Sequence, residues 1–75
     1  IIMEKTITDT EGSRLVMRVV GGYLEIISTF VPEALRGRGR GEKLMDEALG
    51  YAAKNKLEVV PKCSYAQWYM RVNKI

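Results

Sequence analysis

The sequence predicts a small α+β fold: a mixed, mainly antiparallel sheet, two helices and one β-α-β unit. Three observations predict it. Apolar, β-branched runs lie close together in residues 2–31, separated by turn-forming clusters. From residue 41 the apolar period changes to the i, i+4 spacing of a helix. A short strand and a second helix-spaced run follow. A helix between two strands makes those strands parallel, joined by a right-handed crossover.

The elements follow in order. Residues 2–8 form a first strand, and Asp9-Thr10-Glu11-Gly12-Ser13 is a turn cluster. Arg14–Val20 reads as a second strand, and Gly21-Gly22 as the two-residue turn of a hairpin. Tyr23–Val31 is a third strand, stopped by Pro32. Leu44, Met45, Ala48, Leu49 and Ala52 form the buried stripe of a helix from Gly41 to about residue 55, closed by Asn55-Lys56. Gly50 inside it costs helix stability, which predicts close packing at that point. Leu57–Val60 is a short strand closed by Pro61. Ser64 is the expected N-cap of a last helix through about Val72.

A chain of 75 residues predicts one domain, 1–75, with a modest core. The start Ile1-Ile2-Met3 is odd for a native terminus and predicts residues upstream or a different initiator. No apolar run approaches the ~20 residues of a membrane span, and none resembles a secretory leader, so no membrane partner is expected. Cys63 is the only cysteine, which excludes an intrachain disulfide and suits a reducing, cytoplasmic setting. There is no histidine, so the commonest general base and metal ligand are both absent, and no metal site is expected. Charge is uneven. Residues 1–35 hold three basic and five acidic side chains, whereas residues 36–75 hold nine and four. The basic half begins at one loop, which suits a bound polyanion.

That loop is Arg36-Gly37-Arg38-Gly39-Arg40-Gly41. Glycine at every second position disfavours strand and helix alike. It allows several backbone N–H groups to converge on one anion, and a helix beginning there adds its unpaired N–H groups and positive dipole end. Strand, glycine-rich loop, helix is a phosphate cradle. The dinucleotide fingerprint Gly-x-Gly-x-x-Gly is missed by Gly37-x-Gly39-x-Gly41, and a Walker loop fails because Glu42-Lys43 follows Gly41.

Arg36-x-x-Gly39-x-Gly41, preceded by Val31-Pro32, resembles the acyl-CoA pyrophosphate motif of the GNAT N-acetyltransferase superfamily. Val31–Leu44 as a whole is similar to the short, single-domain GNAT-like proteins, whose second signature is matched by Val60-Pro61-Lys62-Cys63-Ser64-Tyr65 with Tyr69 beyond it. The resemblance implies a minimal GNAT-like fold that binds acetyl-CoA and transfers its acetyl group to an amine acceptor, which the sequence does not name. It implies that the pyrophosphate meets Arg36, Gly37, Arg38, Gly39, Arg40, Gly41 and the Glu42 N–H. The pantetheine arm would pair with Phe30-Val31 at the strand end. Two positions depart from the pattern. The family usually has His-Thr where this chain has Ser28-Thr29, and an aliphatic residue where it has Arg40.

Three residues are candidates for catalysis. Cys63 stands where a strand gives way to a helix, as a nucleophile that accepts the acetyl group or as a small packed side chain; without histidine, packing is favoured. Tyr69 is a candidate acid for the leaving thiolate or a core aromatic, and the core role is favoured. Glu25 sits mid-strand, where GNAT enzymes often place a base, or is an ordinary strand-face glutamate, the favoured role. A non-enzymatic acyl-CoA-binding module is the first alternative. An RNA-binding domain is the second, disfavoured because Arg-Gly RNA segments usually lie in disordered tails.

Overall fold

The computed structural model describes residues 2–75. Three strands run in a meander: β1 (Ile2–Thr8), β2 (Arg14–Val20) and β3 (Tyr23–Phe30). A 3-10 turn at Glu33–Leu35, not foreseen from the sequence, leads to α1 (Arg40–Lys54). β4 (Glu58–Pro61) and α2 (Ser64–Val72) complete the chain. The sheet order is β1-β2-β3-β4, with β1–β2 and β2–β3 antiparallel and β3–β4 parallel, as the β-α-β reading expected.

Alternation decides the core. Leu15 and Met17 of β2 and Leu24 and Ile26 of β3 are buried on one face of the sheet. Both helices bury their apolar stripes against that set, α1 with Leu44, Met45, Ala48 and Ala52, and α2 with Ala66 and Tyr69. The residues between them on the strands face the other side, where Arg18 pairs with Glu25 and the Arg14 guanidinium lies 4.5 Å over the Phe30 ring.

Several boundaries differ from expectation, each for a local reason. β3 ends at Phe30 rather than Val31, because Val31 and Pro32 already begin the loop. Pro61 belongs to β4, paired with Ile26; an edge strand tolerates a proline at its end. Leu57 lies outside the strand because its N–H bonds Ala52 O at 2.8 Å, while Lys56 N–H bonds Ala53 O at 3.3 Å. That pair is a Schellman ending, with Lys56 at φ 57 in the left-handed position usually given to glycine. α2 repeats it: Ile75 N–H bonds Met70 O, and Lys74 has φ 56. Asn-Lys-aliphatic closes both helices.

Gly50 corrects the packing expectation. It is exposed, and a Cβ added there meets no atom within 4 Å. Gly50→Ala therefore gains helix propensity without a clash, and thermal unfolding is expected to show about 1 kcal/mol of added stability.

Candidate functional site

A β-bulge opens the site. Met17 pairs with Ile26 and Val16 with Ser28, so Ile27 is an extra residue in β3. A bulge bends its strand and raises its twist. β4 follows β3 only as far as Ile26, whose carbonyl accepts both Lys62 N–H at 2.9 Å and Cys63 N–H at 3.2 Å. Beyond that point the parallel strands part, and the end of β3 has no neighbour from β4.

The glycine-rich loop borders this gap. Gly37 has φ 78 and Gly39 has φ 76, the left-handed region that glycine adopts without a Cβ penalty. Gly39 is the N-cap of α1, which starts at Arg40, one residue before the expected Gly41, and no side chain caps the helix. The N–H groups of Arg40, Gly41 and Glu42 thus head the helix without intrahelical acceptors. Arg36 steadies the approach, its Nε donating to Val31 O at 2.9 Å.

Together these elements line a cleft of about 350 Å³. Thr29, Phe30 and Val31 form its strand side, Leu35, Arg36 and Gly37 its loop side, and Arg40, Gly41 and Tyr65 its helix side. Six residues expected to hold a cofactor are therefore brought together: Phe30, Val31, Arg36, Gly37, Arg40 and Gly41. Arg38, Gly39 and Glu42 do not line the wall. Arg38 is exposed between the left-handed glycines, and Glu42 lies in the first turn of α1. The Arg40 guanidinium points elsewhere than expected, to Asp9 at 3.3 Å and Glu11 at 2.7 Å in the β1–β2 turn.

Tyr65 occupies the wall because Gly41 has no side chain. A Cβ on Gly41 would lie 2.8 Å from Tyr65 Oη and 2.9 Å from Cζ. Burial, with the nearby Glu42 and Asp46 carboxylates, raises the Tyr65 pKa, so its phenol stays protonated at neutral pH. Tyr69, one turn on, is buried and donates its hydroxyl to Asp46, which ties α2 to α1 rather than facing the cleft. That bond, then burial, pushes its pKa from 10.0 up to about 12. The unfolded chain thus loses this proton first. The contribution of Tyr69 to stability is complete below about pH 10 and lost as pH rises toward 12. Alkaline denaturation curves should show that loss, and Tyr69→Phe should remove it.

Cys63, not Ser64, is the N-cap of α2, its Sγ accepting Ala66 N–H at 3.4 Å. The same sulfur lies 3.6 Å from Oγ1 of Thr29 on the cleft wall. Glu25 is held on the other sheet face, its Oε1 accepting Arg18 Nε at 3.0 Å and Nη2 at 2.8 Å.

Residues 4–74 match the sequence profile of the GCN5-related N-acetyl-transferase family. The chain belongs to that family. A crystal structure of a proposed acetyltransferase from Agrobacterium tumefaciens is similar, with a TM-score of 0.66 and 31% identity. The similarity covers 75% of this chain and 44% of that one, so the chain spans less than half the length of that protein. No curated protein matches the chain with significance. The GCN5-related resemblance of the Arg36–Gly41 loop and the Val60–Tyr65 stretch thus extends over nearly the whole chain. What the residues alone did not reveal was the bulge at Ile27 and the place of Tyr65. The one available signal was Gly41, whose missing side chain is matched by a bulky one in the following helix.

Proposed function

We propose that the chain binds acetyl-CoA in the cleft between β3, the glycine-rich loop and α2, and that it transfers the acetyl group to an amine. The observation that carries the reading is one convergence. A strand end open on its β4 side, an uncapped helix start and Arg36 all border a single cleft. The chemistry of each part suits the group. Helix-start N–H groups and a guanidinium suit a pyrophosphate. A strand end with one open edge suits a chain of amides, because main-chain donors and acceptors on that edge are left to pair.

Acetyl-CoA supplies an activated thioester. The chain's own residues then have limited tasks. Arg36 and the N–H groups of Arg40, Gly41 and Glu42 hold the phosphates, and Thr29–Val31 aligns the arm. Tyr65 keeps its proton at neutral pH, donates it to the departing sulfur and regains one from water. Glu25 serves as an anchor for Arg18 rather than as a base, so the acceptor amine arrives unprotonated and releases its proton to water.

Calorimetry with acetyl-CoA, desacetyl-CoA and an RNA oligomer at two salt concentrations, followed by CoA release with candidate amines, tests the reading. Saturable acetyl-CoA binding with a shallow salt dependence supports it, because few phosphates are neutralised. Binding without turnover supports the non-enzymatic acyl-CoA-binding module. Steep, salt-sensitive RNA binding with no response to CoA overturns the reading. In the same reactions Cys63 separates two routes. With direct transfer, intact mass shows no added acetyl and Cys63→Ala keeps most turnover, losing about 0.5–1 kcal/mol of stability with the cap. An acetyl mapped to Cys63 that forms and decays at the turnover rate would reverse that assignment.

A further inference from the structure

We infer that the β1–β2 turn is a brace for the glycine-rich loop, and that the Arg40 side chain is a positioning group gripped by Asp9 and Glu11 rather than a phosphate ligand. The inference rests on the acetyl-CoA reading for its functional meaning, but its geometry stands independently. The loop needs a brace, because two left-handed glycines interrupt it and its fixed points lie at its ends. The turn touches both ends of the β3–α1 connection that carries the loop. At the far end, Arg40 Nη1 reaches Asp9 Oδ2 at 3.3 Å and Nη2 reaches Glu11 Oε1 at 2.7 Å. At the near end, a Cβ on Gly12 would stand 3.5 Å from Pro32 Cγ, so the turn backbone lies against the proline that starts the loop.

The turn is itself rigid. Asp9 Oδ1 accepts the Glu11 N–H at 2.8 Å and the Ser13 N–H at 3.0 Å, and Asp9 N–H bonds Ser13 O at 3.1 Å. One carboxylate oxygen therefore builds the turn while the other reaches Arg40. The Glu11 N–H, aided by Ser13 and Arg40, holds the Asp9 carboxyl down at about 2, so the grip stays charged at neutral pH. An arginine with both terminal nitrogens engaged has a fixed direction, which a point charge on a lysine would lack.

Charge alone and bracing predict opposite signs for one variant. Asp9→Asn with Glu11→Gln removes two negative charges beside a proposed anion site and weakens the grip on Arg40 from charged to neutral hydrogen bonds. If Arg40 serves by charge, acetyl-CoA binds more tightly. If the turn braces the loop, affinity falls. A loop held ready for only about a tenth of the time would bind about tenfold more weakly. Asparagine still accepts the turn N–H groups, so the turn itself persists. Arg40→Lys gives a second reading, expected to match Arg40→Gln under bracing and the parent chain under charge alone.

The experiment is calorimetry with acetyl-CoA on the parent, the double variant, Arg40→Lys and Arg40→Gln. Amide hydrogen exchange of Leu35, Arg36 and Lys43, whose bonded N–H groups flank the loop, accompanies it in the ligand-free proteins. Faster exchange in the double variant with weaker binding is expected. Unchanged exchange, or tighter binding, overturns the brace. Accelerated loop exchange in the double variant, together with a parent chain that fails to bind acetyl-CoA, removes the cofactor reading and supports the brace.

Discussion

Gly39→Asp is expected to abolish acetyl-CoA binding while leaving the fold in place. Gly39 caps α1 with φ 76, and an added Cβ would meet only Glu42 Oε1 at 3.8 Å, so the space is available. Asp is among the residues that tolerate the left-handed region, which limits the backbone cost. The new carboxylate would stand beside the helix-start N–H groups, compete for them, and repel a pyrophosphate. Calorimetry reads the loss and circular dichroism the retained fold. Arg36→Ala is expected to be milder, about 1–3 kcal/mol of binding energy, the range of a charge-assisted hydrogen bond. Unchanged affinity in both variants would move the ligand away from this loop.

Gly41→Ala is expected to strike the helix side of the cleft. The new methyl would stand 2.8 Å from Tyr65 Oη, closer than packed atoms come, so the ring must leave its place. Overpacking of this kind costs about 1–3 kcal/mol, which chemical denaturation measures. The displaced ring also deforms the cleft wall, and acetyl-CoA affinity is expected to fall about tenfold or more, as misplaced binding groups do. A double-mutant cycle identifies the cause. In a Tyr65→Ala background the methyl has room, and Gly41→Ala should cost little or no stability. A full cost in that background would mean that the clash is not with Tyr65.

The strand–loop–helix order was legible because its signals are local. Period two gives way to the spacing of a helix, and the Arg36–Gly41 glycines mark the junction. The Gly21-Gly22 turn and the Asn55-Lys56 helix end were legible for the same reason. The bulge at Ile27 was not, because it depends on how β2 and β3 register against one core, and either strand alone reads as regular. Helical spacing puts Tyr65 and Tyr69 on related faces of α2, but the sequence singles out Tyr69 as the candidate acid and leaves Tyr65 to packing. Asp46 claims Tyr69 and Gly41 makes room for Tyr65, and both lie on another helix. The Arg40 pairs with Asp9 and Glu11 join residues about thirty apart, beyond any local pattern. Cys63 capping α2 shows a nearer limit, since cysteine is not among the usual cap residues.

The central claim is that one cleft holds the cofactor along the strand end and the glycine-rich loop. Amide chemical-shift mapping of the isotope-labelled chain during an acetyl-CoA titration tests it most directly. Saturable shifts are expected at Thr29–Val31 and residues 36–42, with Tyr65 following and the outer residues of β1 unchanged. Shifts confined to other surfaces, or a spectrum that acetyl-CoA leaves unmoved, would contradict it.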